Sequence, residues 1–252
     1  MPTSRREFAA QLLRSVMALG LLEVMGSRAV GAAGARTSLA AWFEAMAAWT
    51  RELRAGRIDG LEFQGEMEAL FRRVDLPDLA SFIALDELER RLQAPARGAA
   101  ARDLDLRAAL PGGVGFTARI FVCRKGRAIV PHGHVGMCSG FLVLRGRWRG
   151  RHYDRVATEG EHHLIRPTID RSFAPGDLST ISDDRDNVHW FAAESDTAWI
   201  FNVHVSGLDP GAPRAGRLYL DPAGERLAGG LIRAPMMTPA ACQRKYGGPD
   251  GS

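Results

Sequence analysis

The chain has 252 residues, of which 46% are hydrophobic and 25% are charged. These values are ordinary for a globular chain that can bury one full core, and they exclude wholesale disorder. The formal net charge is +4, and the arginines are scattered among 29 acidic residues, so we expect no nucleic-acid partner. The three cysteines, Cys123, Cys138 and Cys242, are too few for a disulfide framework and contain no C-x-x-C metal motif.

Residues 1–35 are typical of an export signal. Arg5 and Arg6 are followed by an apolar run over residues 16–25 and by small residues that end in AGA at 33–35. We interpret this segment as a twin-arginine-type signal peptide, which predicts a periplasmic protein. The apolar run is too short to remain as a stable membrane anchor after signal removal. The alternative is an amphipathic helix that merely begins with arginines.

Residues 36–100 have a helical pattern. Ser38 is a candidate N-cap, Gly56 breaks the first helix, and a third helix is predicted to begin after Pro77. Apolar residues recur at spacings of three and four, so each helix is expected to dock onto a larger body through a buried stripe. The stripes are Leu39, Trp42, Phe43, Met46 and Trp49, then Leu61, Phe63, Met67, Leu70 and Phe71, then Phe82, Ile83, Leu85, Leu88 and Leu92.

From residue 101 to residue 252 the pattern changes to that of strands. Short apolar or alternating runs are separated by Gly, Pro and Asp turns with no helix between them, which predicts an antiparallel sandwich or barrel. We therefore expect a mainly β protein with an N-terminal helical subdomain. Residues 234–252 are expected to lie along the surface or to fray. The runs are residues 116–123, 141–144, 198–205 and 217–220.

The histidines carry the clearest chemical pattern. His132 and His134 are separated by one residue, so on a strand both imidazoles project from one side and can bind the same metal ion. A third ligand must come from elsewhere, and the best candidate is His189. Exposed loop histidines are the alternative for the pair.

The spacing around these histidines resembles the two motifs of the cupin barrels. His132 and His134 follow Gly126 as G-x5-H-x-H, and His189 stands where the second motif supplies a histidine. The resemblance implies a cupin (double-stranded β-helix, or jelly-roll) barrel. A typical cupin also has a glutamate ligand after the pair, but residues 135–140 contain no carboxylate. Three neutral imidazoles leave the charge of a metal dication available to anionic ligands such as a thiolate.

With that departure, the chain resembles the cupin thiol dioxygenases. Residues 132–146, HGHVGMCSGFLVLRG, are similar to the H-x-H-x-G-M-x-x-x-L-x-V-L-x-G run of the cysteamine dioxygenase and plant cysteine oxidase group, with Phe141 at a leucine position. Residues 186–189, DNVH, resemble the D-N-L-H motif of that group. The resemblance implies that the three histidines hold Fe(II). It also implies that a small thiol (an aminothiol, a cysteine-like thiol or an N-terminal cysteine) is converted with O2 to its sulfinate.

A second resemblance is to cysteine dioxygenase. His204 matches the histidine of its Ser-x-His-x-Tyr motif, which lies near the substrate, so the resemblance implies a catalytic role for His204, with Asn202 supporting the same wall. Residues 218–225 are similar to its C-terminal hairpin. Ser206 stands where that family has tyrosine, and Ser139 takes the place of the cysteine that crosslinks to it. These departures leave the choice of thiol open.

Several interpretations stay open. Arg119 and Arg124 are candidates to bind a substrate carboxylate, but their opposite parity on a strand allows at most one to point inside. His204 is equally consistent with a hydrogen-bonded structural histidine. His152 is expected between strands, and a role at the cavity mouth stays open for it. His162 and His163 are expected in a surface loop, and Met137 and Cys138 in the core.

The domain arrangement is a signal peptide over residues 1–35, a helical segment over 36–100, and a cupin barrel with a C-terminal hairpin and tail over 101–252. We expect a monomer whose partners are a small-molecule thiol and O2. The alternative functions are another metal-dependent cupin enzyme (an isomerase, a lyase or a carbon-directed dioxygenase) and a non-catalytic cupin that binds a metal or ligand.

Overall fold

The computed structural model describes residues 37–106, 115–209, 211 and 217–248. The predicted signal peptide, residues 1–35, lies outside this part of the chain and stays a prediction. Among the described residues, no helix combines the length and the apolar character needed to cross a membrane.

The N-terminal part is helical, as predicted. Ser38 caps the first helix by accepting a hydrogen bond from the N–H of Ala41, and Asp59 and Glu62 form a capping box at the start of the second. The prediction of a single third helix was wrong, because Ala84 takes a left-handed conformation with φ 51° and splits it into two. The helices are α1 (Leu39–Arg54), α2 (Gly60–Phe71), α3 (Leu76–Phe82) and α4 (Leu85–Arg91).

Strands follow the helices, and a short helix comes after the last strand. The strands are β1 (Ala100–Asp103), β2 (Thr117–Arg124), β3 (Ala128–Gly133), β4 (Met137–Arg145), β5 (Trp148–Glu159), β6 (His162–Phe173), β7 (Leu178–Ile181), β8 (Val188–Ala193), β9 (Thr197–Ser206), β10 (Leu218–Tyr219), β11 (Glu225–Arg226) and β12 (Ile232–Pro235), and the helix is α5 (Pro239–Tyr246).

Strands β2 to β9 follow the path of a jelly roll. β2 pairs with β9, β3 with β8, and β4 with β7, while β5 and β6 form the innermost hairpin. The described strands form two antiparallel sheets, in the orders β1-β2-β9-β4-β7 and β10-β3-β8-β5-β6-β12-β11. This path is that of the double-stranded β-helix, so the predicted fold class is confirmed.

The helices share one hydrophobic core with the outer face of the first sheet. Along β4, Leu142 and Leu144 face the helices, whereas Phe141 and Val143 face the space between the sheets. A strand buried on both faces reads as a continuous apolar run, which is why residues 141–144 were recognisable. The inner face of this strand is therefore backed by a helical layer.

Three interpretations made from the sequence were wrong. His152 is fully buried inside β5 and does not lie between strands, and His162 and His163 begin β6, where His163 is buried, instead of lying in a surface loop. β5 and β6 form a long hairpin whose many exposed polar positions hid its alternation. Part of the predicted tail forms β12, and α5 packs against β3.

The buried His163 predicts a loss of stability in acid. Burial, and then the charge of Arg155, lower the pKa of His163 below its ordinary value of 6.5. The unfolded chain therefore binds a proton more readily below pH 6.5, and stability is lost as the pH falls towards the folded pKa. We expect His163→Leu to reduce this pH dependence, by at most about 1.4 kcal/mol per pH unit. Urea unfolding of metal-free protein between pH 7.5 and 5.5 measures the free energy of unfolding at each pH. The same slope of this free energy against pH in variant and parent would contradict the prediction.

Candidate metal centre

The structure brings His132, His134 and His189 together. His132 lies near the end of β3, His134 follows it, and His189 lies directly opposite His132 on β8. All three are buried, and their ligand atoms lie within 4.8 Å of one another. Antiparallel pairing places directly opposed side chains on the same face, which explains how residues so far apart in sequence meet.

Two of the three rings are oriented by main-chain carbonyls. His132 Nδ1 donates to the carbonyl of Val130 at 2.7 Å, and His189 Nδ1 donates to the carbonyl of Asn187 at 3.2 Å. A carbonyl can only accept, so each ring carries its proton on Nδ1 and leaves Nε2 with a free lone pair. Metal-binding histidines typically have this arrangement.

The environment keeps the rings neutral. Burial, and then the neighbouring histidines and Arg217, lower the pKa values of His132 and His134 well below 6.5. Burial lowers the pKa of His189 to about 4, although its hydrogen bond to Asn187 opposes this shift. Neutral imidazole is the form that binds metal, so the triad is ready to do so at neutral pH.

The donor set fits a divalent transition metal. Among the described residues, the one group of metal-ligating side chains is these three imidazoles, and it contains no carboxylate. Imidazole suits zinc, copper, iron and nickel, whereas calcium and magnesium prefer oxygen. The three imidazoles would hold such an ion.

The triad opens into a cavity of about 1090 Å³. His204 on β9 lines it and is half-buried, and neither of its ring nitrogens bonds another described residue. Burial, and then the charge of Arg119, lower its pKa to about 4. The alternative of a hydrogen-bonded structural histidine therefore finds no support in the contacts of His204.

Asn202 also lines the cavity, but its amide group bonds the wall. Its Nδ2 donates to Ser139 Oγ at 2.7 Å and to the carbonyl of Gly140 at 2.9 Å. Ser139 in turn donates to the carbonyl of Val203 at 3.1 Å. These bonds tie β4 to β9 in the cavity wall, and Oδ1 is the group that Asn202 can offer to a ligand.

The cavity wall also contains residues that the sequence did not single out for it. Arg217 and Tyr219 line it, and the Tyr219 ring lies 6.0 Å from that of His132 because β10 pairs with β3. Met137, predicted to be core, also lines the cavity. Arg119 lines it and pairs with Asp103, whereas Arg124 is exposed. Tyr219 lies in the hairpin predicted from the sequence, but no local sequence pattern predicts that this strand pairs with β3.

His152 is a further histidine of the same sheet face. It lies opposite His189 on β5, with ring centroids 6.0 Å apart, among Phe173 and Phe191. Neither ring nitrogen has a hydrogen-bond partner among the described residues, and burial lowers its pKa well below 6.5. It does not belong to the cavity lining.

Comparison with known proteins gives likenesses of fold. No family model and no curated protein matches the chain. Similar structures include an oxalate oxidase in complex with glycolate (19% identity, TM-score 0.35, covering 47% of this chain and 58% of that chain). They also include a cupin superfamily protein from Desulfitobacterium hafniense (10% identity, TM-score 0.31, 46% and 84%) and the 11S globulin procruciferin from Brassica napus (12% identity, TM-score 0.34, 48% and 28%).

The barrel is a double-stranded β-helix, the fold class that the sequence predicted. Its own strand order establishes this, independently of those likenesses. The chain spans 58% of the oxalate oxidase and 28% of the globulin, so the activities of those whole proteins do not transfer to it.

Proposed function

We propose that this protein is a cupin and an Fe(II)-dependent thiol dioxygenase, which converts a small thiol to its sulfinate with O2. The observation that carries the proposal is a triad of three buried imidazoles with no carboxylate among them. Such a donor set adds no negative charge, so a bound dication keeps its full attraction for a thiolate.

The overall reaction needs no other reductant or oxidant. The thiol RSH and O2 give RSO2H: two S–O bonds form, the O–O bond breaks, and the four electrons that sulfur loses reduce both oxygen atoms. The iron, when bound, supplies the site at which thiolate and O2 meet and exchange electrons. The chain itself has to bind and orient the thiol and to limit access of water.

The residues around the triad are suited to those tasks. The inner face of the barrel beside His189 is apolar, with Phe141 5.1 Å away by ring centroids. His204 lines the cavity, and no described residue bonds its ring nitrogens, so the imidazole can donate to or accept from a bound substrate. Asn202 holds the wall that carries His204 in place through its bonds to β4.

Oxygen consumption by iron-loaded protein tests the proposal. We expect consumption with at least one thiol from a panel of aminothiols, cysteine, mercapto acids and peptides with N-terminal cysteine, and none with the corresponding alcohols. Metal-free protein is the control for thiol oxidation that does not depend on bound iron. A full iron site with no thiol oxidised contradicts the proposal and leaves the other cupin functions, enzymatic or binding, to be tested. Stoichiometric zinc or manganese, without iron, in protein purified without added metal would count against it too.

A further inference from the structure

One buried carboxamide contacts the segment that carries His134. Asn187 lies between β7 and β8 and is 1% exposed. Its Oδ1 accepts from the N–H of His134 at 3.3 Å, and its Nδ2 donates to the carbonyl of His134 at 2.9 Å. The side chain therefore bonds both main-chain groups of one histidine of the triad.

The same residue also holds a second histidine. The main-chain carbonyl of Asn187 accepts the proton of His189 Nδ1, two residues further along the chain, at 3.2 Å. Asn187 thus bonds His134 through its side chain and His189 through its main chain. His134 directly follows β3 and His189 lies on β8, so this one residue bonds both histidines across the pairing of the two strands.

Close packing and a neighbouring carboxylate reinforce the arrangement. A Cβ on Gly133 would lie 2.7 Å from Asn187 Oδ1, so the glycine allows the carboxamide to approach. Nδ2 also donates to the carbonyl of Ser182 at 3.1 Å and to Asp183 Oδ1 at 3.2 Å, and Asp183 Oδ2 accepts from the N–H of Gly136 at 2.6 Å. The loop before β8 therefore forms hydrogen bonds with both ends of the segment 134–136.

His134 needs this support more than the other two histidines. His132 and His189 have their rings fixed by carbonyl acceptors, whereas no described residue bonds a ring nitrogen of His134. Among the described residues, the hydrogen bonds that hold His134 are those of its main chain to the Asn187 side chain. A ligand that is not held in place lowers metal affinity, because binding must then order it.

We propose that Asn187 is a positioning residue of the metal centre, whose carboxamide holds His134 in line with His132 and His189. The proposal rests on the metal role of the triad but not on the thiol as substrate. Asn187 touches neither substrate nor metal in this account, and it acts through His134.

Metal affinity and the absorption spectrum of the Co(II) protein test the proposal. Asn187→Ala is expected to weaken Co(II) binding, titrated against a competing chelator, about 10- to 100-fold, and to change the visible bands of the bound ion. The matched control is Gln64→Ala, which removes an equally buried amide that bonds Thr180 Oγ1 at 3.2 Å on β7. It should leave the affinity and the bands as in the parent, even if it lowers the melting temperature.

A double-mutant cycle separates positioning from general destabilisation. If Asn187 acts through His134, then Asn187→Ala added to His134→Ala should cause no further loss of Co(II) affinity. The same loss in both backgrounds, or an unchanged affinity for Asn187→Ala alone, would overturn the proposal. If the alanine variant does not fold, Asn187→Asp replaces it, because aspartate keeps the shape and an acceptor for the His134 N–H. The loss of the bonds that Nδ2 donates should then weaken Co(II) binding about as much as alanine would. Co(II) binding as tight as in the parent would overturn the proposal.

The outcome for Asn187 is distinguishable from the outcome for the thiol. Parent protein that binds Co(II) through the triad, with the expected losses in the variants, supports Asn187 even when no thiol is oxidised. Parent protein that binds no Co(II) overturns the positioning role and the metal centre together.

Discussion

Replacing His189 with alanine is expected to abolish iron retention and, with it, any thiol oxidation. The variant removes one of three imidazoles and leaves His132 and His134 as a pair. Losing a group that merely hydrogen-bonds a ligand already costs about 10- to 100-fold in metal affinity, so losing a ligand should cost more. Iron bound per chain after anaerobic reconstitution and gel filtration measures the effect.

The control for this variant is His162→Ala. His162 is half-buried at the start of β6 and is not part of the cavity lining, so its removal should leave iron retention unchanged. Thermal unfolding of both metal-free variants shows whether the His189 protein is still folded. Iron retention close to that of the parent in a folded His189→Ala protein would remove His189 from the triad.

Replacing Trp42 with alanine is expected to cause the largest loss of stability, about 3 to 5 kcal/mol. Trp42 is fully buried, and its Nε1 donates to the carbonyl of Leu70 at 2.8 Å. Its ring lies 5.5 Å from that of Phe71 on α2 and 6.1 Å from that of Phe201 on β9, by centroids. Removing it opens a cavity between the helices and the strand that carries His204.

Urea unfolding of Trp42→Ala beside Trp49→Ala measures this effect. Trp49 lies on the same helix but is only partly buried against the core, so the same change should cost much less there. Equal losses at the two positions would mean that the helices are not anchored to the barrel through Trp42. A loss confined to Trp42 supports a single core shared by α1, α2 and the first sheet.

The parts of the site that were predictable from the sequence are those encoded locally. The H-x-H pair is readable because side chains on a strand alternate, and His189 because DNVH resembles a four-residue motif of the thiol dioxygenases. The helical stripes and the Ser38 cap were equally local. The triad, the cupin fold class and the N-terminal helices could therefore be predicted before the structure.

The remaining parts depend on pairing between distant strands. Tyr219 meets His132 because β10 pairs with β3, and His152 meets His189 because β5 pairs with β8. No local pattern specifies either register. Polar residues facing outwards on β5 and β6 also obscured that hairpin, and so His163 was predicted to lie in a loop. The role of Asn187 was hidden similarly, because its partners at residues 134–136 are about fifty positions away.

In the proposed reaction, both atoms of one O2 molecule are transferred to the sulfur of a thiol. Mass spectrometry of the product formed under ¹⁸O2 by iron-loaded protein shows whether this transfer occurs. The reaction proposed predicts a sulfinate in which both oxygen atoms are labelled, formed by the parent and the His162→Ala protein and not by His189→Ala. A product with no label or one label, or a disulfide alone, would contradict it.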